Sequence, residues 1–262
     1  MPPARLGAVA YLNARPLVHG LELKSNLFSL RFDVPSKCAA LLHERSIDVG
    51  MIPSIEYLRG REPYRIVPEC GIASRAAVAS VALFTTKPVG QISSIATDTS
   101  SRTSNGLLRV LCYESFGIDP ELVPMPPNVD DMLVRCDAAL LIGDPALFLE
   151  PESRGLLKVD LGSEWVKLTG LPFVWAFWAG RRGALSPQAV EALQRARGAG
   201  VAASDAIAAA YCPPERVAVG QAYLRENIQY ALGDREEQGL RRYYQLAEKH
   251  DVVESIRAPE FY

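Results

Sequence analysis

Four short turns carry most of the side chains in this chain that have the chemistry to bind or transform a ligand. Each turn follows a short apolar run and leads straight into a segment with a helical pattern. Unpaired backbone N–H groups at the start of a helix attract anions, and hydroxyl and amide side chains add neutral donors. The turns therefore predict a site for a small, negatively charged molecule. They are Tyr11–Asn13, Pro53-Ser54, Thr99–Ser104 and Gly143-Asp144.

The richest of these turns is a hydroxyl cluster in which six of the eight residues from Thr97 to Ser104 are Ser or Thr. This number exceeds what helix capping needs, although capping remains an alternative because Ser and Thr favour helix starts. Ser101, Thr103 and Ser104 are therefore candidates to bind a carboxylate. Charge-assisted hydrogen bonds of this kind contribute about 1.5–3 kcal/mol each.

The remaining candidates are single polar side chains that follow or lie within predicted strands. The amide of Asn13 both donates and accepts, which suits the orientation of a hydroxyl or ether oxygen. Ser80 lies in an apolar strand, from which its side chain can point into a cleft, while Ser54 and Asp144 hold equivalent places in their turns. For each of them the alternative is a purely structural role, as a helix cap or a satisfied buried hydroxyl.

The sequence lacks the characteristic motifs of several classes of enzyme. There is no Walker-type phosphate loop, no G-x-G-x-x-G fingerprint and no G-x-S-x-G nucleophile elbow. The only histidines are His19, His43 and His250, and they form no cluster with metal-ligand spacing. A hydrolase, a metalloenzyme or a nucleotide-driven enzyme is poorly supported, and we expect neither a metal nor a cofactor.

Composition narrows the class of protein further. The net charge is −2 and no run of Lys and Arg exceeds a pair, which disfavours nucleic acid as a partner. No apolar run approaches the roughly 18 residues of a membrane span, so we expect no membrane partner. The five cysteines form no C-x-x-C pair and are predicted to be buried, reduced thiols. The sequence begins without the features of a secretion signal, so we expect a cytoplasmic protein.

The turns are positioned by a predicted alternation of strands and helices. The short apolar runs at Leu6–Ala10, Val49–Ile52, Ile95–Ala96 and Ala138–Ile142 are typical of buried parallel strands. In an open α/β sheet, ligands bind at the carboxyl ends of such strands. A helical tail is predicted at about 187–200, 203–211, 214–231 and 235–249.

Two longer apolar strands, near 78–85 and 173–179, bracket the middle of the chain. This arrangement predicts an α/β protein of two lobes with two crossovers and the ligand cleft between them. The expected first lobe is 1–84 together with 178–262, and the expected second lobe is 85–177. The alternative is one continuous α/β sheet followed by an all-helical tail.

Five blocks of sequence together resemble the MqnA family, at residues 11–17, 47–57, 101–104, 141–147 and 169–176. The members of this family are chorismate dehydratases of the futalosine route to menaquinone. The resemblance implies a periplasmic-binding-protein type II-like fold, with a mostly parallel sheet flanked by helices in each lobe and a helical C-terminal tail. It also implies a lyase that removes water from chorismate, a small dianion, to give 3-[(1-carboxyvinyl)oxy]benzoate.

The resemblance suggests a role for each candidate residue. Thr103, Ser104 and the adjacent helix start would hold a substrate carboxylate, and Asn13 and Ser80 would orient the reacting centre. The proton acceptor is open between a carboxylate of the substrate and Asp144. The remaining wall of the site would comprise Tyr11, Ser54, Ser101 and Gly143.

Three other functions stay open at this stage. A dihydroxynaphthoate synthase of the same pathway shares the fold, but it is expected to use a histidine in the second lobe, where this chain has none. The others are a non-catalytic binding protein for a small anion and a ligand-sensing regulatory domain. The sequence does not predict the oligomeric state.

Overall fold

Two five-stranded mixed sheets form the framework of the chain, whose computed structural model describes residues 2–262. In chain order the strands are β1 (Ala4–Val9), β2 (Phe28–Asp33), β3 (Val49–Pro53), β4 (Tyr64–Ser74), β5 (Val81–Thr85), β6 (Ser94–Asp98), β7 (Glu121–Met125), β8 (Ala138–Ile142), β9 (Leu157–Asp160) and β10 (Phe173–Arg181).

The two sheets have the same topology. The first has the order β2-β1-β3-β10-β4, with β1, β2 and β3 parallel and β10 antiparallel to both of its neighbours. The second has the order β7-β6-β8-β5-β9, with β6, β7 and β8 parallel and β5 antiparallel to both neighbours. Each lobe therefore contains a parallel half, as expected, and an antiparallel half that the sequence did not indicate.

Strand pairing puts the two crossovers close to, but not at, the expected lobe boundaries. Those boundaries, at 84/85 and 177/178, fall inside β5 and β10. All of β5 pairs within the second sheet and all of β10 within the first. The chain thus crosses between the sheets after Ser74 and again before Phe173. A continuous apolar strand looks the same in either sheet, so its sequence does not reveal which sheet it joins.

Helices cover both sheets, and the last four form the tail. They are α1 (Pro35–His43), α2 (Glu56–Arg59), α3 (Thr103–Leu111), α4 (Val129–Arg135), α5 (Gly143–Leu147), α6 (Leu161–Thr169), α7 (Pro187–Ala202), α8 (Ser204–Tyr211), α9 (Val217–Ala222) and α10 (Asp234–Lys249). The helical segment expected after the Tyr11–Asn13 turn is a 3₁₀ helix that spans Leu12–Val18. Single π-helical turns at Cys112–Phe116 and Tyr223–Asn227 extend α3 and α9.

The main hydrophobic core runs through both lobes and beneath the tail. Strands β3, β5 and β8 are buried along their whole length, as their apolar sequences require. Helix α7 begins with Ser186 as its N-cap, accepting from the Ala189 N–H at 3.2 Å, and packs on β4. Helix α10 packs on β10 of the first sheet and on α3 of the second lobe, so the tail joins the two lobes.

Two further predictions concern thiols and membranes. All five cysteines are buried and free, as predicted. Within residues 2–262, every helix is too short or too polar to cross a lipid bilayer.

Candidate active site

A cavity of about 60 Å³ lies between the two lobes. Val9 and Pro53, at the carboxyl ends of β1 and β3, form its first-lobe side, and Ile142, at the carboxyl end of β8, forms part of the opposite side. Open α/β sheets bind their ligands at these carboxyl ends of the parallel strands. The crossover segment and β10 contribute further walls, including Trp175.

Seven of the nine predicted site residues line this one cavity: Tyr11, Asn13, Ser80, Ser101, Thr103, Ser104 and Gly143. They come from both lobes and from the first crossover. The predicted convergence of polar turns on a shared cleft is therefore present, while the role of each side chain remains a prediction. Ser54 and Asp144 lie elsewhere.

The hydroxyl cluster is divided between ligand-facing and structural positions. Thr103 is the first residue of α3, and its Oγ1 accepts from the Ile55 N–H of the first lobe at 3.2 Å. Ser101 Oγ accepts from the Ser104 N–H at 3.3 Å, and Ser100 Oγ donates to Asp98 at 2.6 Å. Ser101 and Thr103 thus line the cavity and also hold backbone N–H groups, whereas Ser100 makes a structural contact only.

Ser54 lies behind the cavity wall instead of forming it. It is fully buried, and its Oγ donates to the Val174 carbonyl at 2.7 Å and lies 3.4 Å from Thr103 Oγ1. Its hydrogen-bonding capacity is therefore satisfied within the protein. Ser54 was predicted to contact the ligand, but in the structure it supports Thr103 from behind the cavity wall. The turn after β3 points the Ser54 side chain inward.

Asp144 is also turned away from the cavity. One carboxylate oxygen accepts from the Leu12 N–H at 3.1 Å, and the other accepts from the Tyr211 hydroxyl. Burial raises the pKa of Asp144, and the hydrogen bonds from Tyr211 and Leu12 offset only part of that rise. Because Leu12 precedes Asn13, Asp144 of the second lobe fixes the turn that carries Asn13 in the first.

The polar corner of the cavity contains a residue that the sequence did not single out, Tyr223. Its hydroxyl lies 2.7 Å from Ser80 Oγ. Asn13 Oδ1 is buried and has no partner within residues 2–262. The sequence predicted only that Tyr223 lies in the helical tail, and this does not indicate a contact with a residue 143 positions away.

Gly143 makes the close contact between α5 and the first lobe. Its φ of +62° lies in the left-handed region, and a Cβ at this position would lie 2.7 Å from the ring of Tyr11. Only glycine meets both conditions without strain. Tyr11 can therefore close over the cavity, where its hydroxyl lies 3.4 Å from Ser100 Oγ.

An ion-pair network spans the lobes beside the cavity. Arg102, next to Thr103, donates to buried Glu56 of the first lobe at 2.7 Å. The same carboxylate contacts Arg59 and His43, each at 3.0 Å. A backbone hydrogen bond from the Ser36 N–H to the Ser100 carbonyl, at 3.2 Å, crosses the same boundary. The described conformation is thus one in which the lobes are in contact.

The cavity lining is neutral. None of its residues within the described part of the chain is Asp, Glu, His, Lys or Arg. Its polar groups are the hydroxyls, the amide of Asn13 and the start of α3, all of which can donate hydrogen bonds. Such a lining can hold a carboxylate and orient it, since oriented neutral donors and a helix start both stabilise negative charge.

The sequence as a whole matches proteins of one biosynthetic route. A family model described as menaquinone biosynthesis matches residues 4–249. A chorismate dehydratase from Thermus thermophilus is 30% identical over 262 residues, covering 93% of this chain and 94% of that protein. A chorismate dehydratase from Campylobacter jejuni is 33% identical over 168 residues, covering 63% of this chain and 58% of that protein.

Solved structures with the same fold have little sequence identity. Protein AF1704 from Archaeoglobus fulgidus superposes with a TM-score of 0.76 at 18% identity, covering 96% of this chain and 98% of the other. The alkanesulfonate-binding protein SsuA from Xanthomonas axonopodis gives 0.65 at 16% identity, with 97% and 94% covered. These similarities confirm the predicted two-lobed, periplasmic-binding-protein-like fold.

Proposed function

This chain belongs to the menaquinone biosynthesis family, as its sequence blocks predicted, and we propose that it is a chorismate dehydratase. The reaction is the loss of water from chorismate to give 3-[(1-carboxyvinyl)oxy]benzoate, which makes the enzyme a carbon–oxygen hydro-lyase. The observation that carries the proposal is the meeting of neutral hydroxyl and amide groups from both lobes in one cavity.

Recognition of the substrate rests on its two carboxylates. Thr103 and Ser104 line the cavity at the start of α3, where the helix dipole favours an anion. We assign one carboxylate to this corner. Neutral donors suit this dianion, because one of its own carboxylates is then used as the charged group in the reaction.

Asn13 and Ser80 are assigned to the reacting centre. The ring C–H bond next to the enolpyruvyl ether breaks, its electron pair enters the ring, and the neighbouring C–O bond breaks with loss of the hydroxyl as water. The product ring is aromatic, which supplies a large driving force. Catalysis then depends mainly on how the protein positions the substrate and on hydrogen-bond donors that are already oriented before the reaction.

The proton acceptor is assigned to the enolpyruvyl carboxylate of the substrate. The cavity lining within residues 2–262 offers no carboxylate or imidazole. Both oxygens of Asp144 are already hydrogen-bonded outside the cavity. A carboxylate carried by the substrate can accept the ring proton and return it to the departing hydroxyl, so that no proton is gained or lost overall.

The direct test is to incubate the purified protein with chorismate and follow the aromatic enol ether by chromatography and mass spectrometry. We expect one product with the mass of chorismate minus water, and at least about a hundredfold loss of kcat in Asn13→Ala, because an oriented group at the reacting centre is removed. Binding of chorismate without turnover would instead identify an anion-binding protein. Absence of both binding and turnover would reject the substrate.

A further inference from the structure

Tyr223 lies directly behind the corner of the cavity that holds Asn13 and Ser80. It belongs to the helical tail, at the first position of the π-helical turn Tyr223–Asn227, and only 2% of it is exposed. Single π-helical turns within α-helices occur frequently at functional sites. Tyr223 itself is not part of the cavity lining, so it can act on a ligand only through the residues in front of it.

The hydroxyl of Tyr223 contacts a residue of the proposed reacting centre, Ser80, whose Oγ lies 2.7 Å away. Burial raises the pKa of Tyr223, so the phenol stays protonated at neutral pH. A phenol can donate one hydrogen bond and accept others.

This contact bears on what the cavity offers, because Ser80 is part of its lining whereas Tyr223 is not. Either hydroxyl can donate in the Ser80–Tyr223 pair. When Tyr223 donates, the Ser80 proton is left free to point at the ligand.

We propose, on the basis of the proposed function, that Tyr223 is a positioning residue that orients the Ser80 hydroxyl for the dehydration. It fixes the direction in which that hydroxyl faces the substrate. The expected consequence of losing its hydroxyl is a slower reaction with nearly unchanged binding, because the carboxylate corner at Thr103 is untouched.

The tail supplies a matched control, Tyr230. It is also a buried tyrosine, 4% exposed, but its hydroxyl has no hydrogen-bond partner within residues 2–262. Tyr230→Phe removes the same atom from a similar environment without breaking a hydrogen bond. Any loss that arises only from altering the packing of the tail is therefore expected in both variants.

The experiment compares kcat, KM and the thermal midpoint for wild type, Tyr223→Phe, Tyr230→Phe, Ser80→Ala and Ser80→Ala/Tyr223→Phe with chorismate as substrate. We expect Tyr223→Phe to lower kcat by at least about tenfold while KM changes by less than about threefold. Tyr230→Phe should stay within about twofold of wild type. In the Ser80→Ala background, Tyr223→Phe should cost less than about threefold more, because coupled residues are not additive.

Three results would overturn the inference: a wild-type kcat in Tyr223→Phe, an equal loss in Tyr230→Phe, or a full additional loss in the Ser80→Ala background. Failure of the proposed function is distinguishable from these results. In that case the wild-type protein itself does not convert chorismate, and the role of Tyr223 in this reaction falls with it.

Discussion

Glu56 is a carboxylate with no exposed surface, held between positively charged and hydrogen-bonding side chains. Burial by itself would raise its pKa. The hydrogen bond from His43 and the charges of Arg102 and Arg59 outweigh burial and lower the pKa of Glu56 to about 2. The group therefore remains ionised at every pH at which the enzyme is expected to work, and Arg102 keeps its partner in the opposite lobe.

This shift predicts how the stability of the protein depends on pH. Because the pKa is 4.5 for an ordinary Glu and about 2 in the folded state, the stabilisation is present above about pH 4.5 and is lost as the pH falls towards 2. It amounts to about 3 kcal/mol. In urea unfolding, the difference in stability between wild type and Glu56→Gln should shrink as the pH is lowered through this range.

The control for this titration is Glu191→Gln. Glu191 forms an exposed i,i+4 pair with Arg195, with 63% of the Glu191 side chain accessible. Exposed pairs of this kind contribute little. Its substitution should leave the urea midpoint almost unchanged at each pH. A Glu56→Gln variant that behaves in the same way would show that the buried network does not stabilise the protein.

At the scale of elements, the helical tail supports the candidate site from behind. Tyr243 and Tyr244 of α10 donate to the backbone carbonyls of Thr103, at 3.0 Å, and Ser54, at 2.7 Å. Tyr211, at the end of α8, donates to Asp144. Each of these contacts holds a turn whose neighbouring side chain faces the cavity or the opposite lobe. The tail therefore sets the geometry of the site in addition to completing the core.

Helix α7 gives a test of this support, because two of its glycines differ in their surroundings. A Cβ at Gly198 would meet no atom within 4 Å, whereas a Cβ at Gly200 would lie 2.0 Å from the Pro16 carbonyl oxygen in the 3₁₀ helix that carries Asn13. We expect Gly198→Ala to stabilise the protein by about 0.5–1 kcal/mol. Gly200→Ala should destabilise it by about 1–3 kcal/mol.

Thermal unfolding and chorismate turnover measured together check both substitutions. Gly198→Ala should keep wild-type kcat, while Gly200→Ala should also lower kcat because it displaces the element that holds Asn13. Equal midpoints for the two variants would contradict the close packing of α7 on the 3₁₀ helix.

Most elements could be predicted from the sequence, and those that were missed have physical explanations. Strand β4 is eleven residues long, but Pro68 and Glu69, the latter with a φ of +58°, interrupt its pattern, and its pairing with β10 shifts register. Strand β9 has four residues and lies at a sheet edge with two of them exposed, so it lacks an apolar run. Helix α6 directly follows this strand and was missed with it.

The site could be predicted as far as local residue types allow. Small polar residues at strand ends identified Asn13, Thr103 and their neighbours, because strand ends meet at one edge of a sheet. The direction in which Ser54 and Asp144 point is set by contacts with the other lobe and the tail. The same holds for Tyr223, whose partner is fixed only by tertiary packing.

At the scale of the whole molecule, hydrogen bonds and ion pairs hold the lobes together around the cavity. Asp144 and Arg102 each reach from the second lobe to groups of the first. The polar walls of the cavity come from both sides of these contacts. The lobe contacts and the assembled site therefore belong to the same conformation.

The Asp144→Asn variant tests whether Asp144 holds the two lobes in contact or acts as the catalytic base. An asparagine can still accept from the Leu12 N–H, so we expect kcat to fall by less than about tenfold. Loss of a general base typically costs about 10²–10⁴-fold. Steady-state kinetics decide between these ranges. Asp144→Ala, which removes both hydrogen bonds, should raise KM and give a larger radius of gyration by small-angle X-ray scattering.

The position of β10 between β3 and β4 has a consequence for biosynthesis. On the ribosome, β4 emerges long before β10, its neighbour in the sheet, because residues 75–172 must be made first. At roughly 5–20 residues per second this delay is about 5–20 s. The second lobe, contiguous in the chain, can fold during that interval, while the first exposes unpaired strand edges. Nascent-chain chaperones should therefore engage the amino-terminal half of the enzyme.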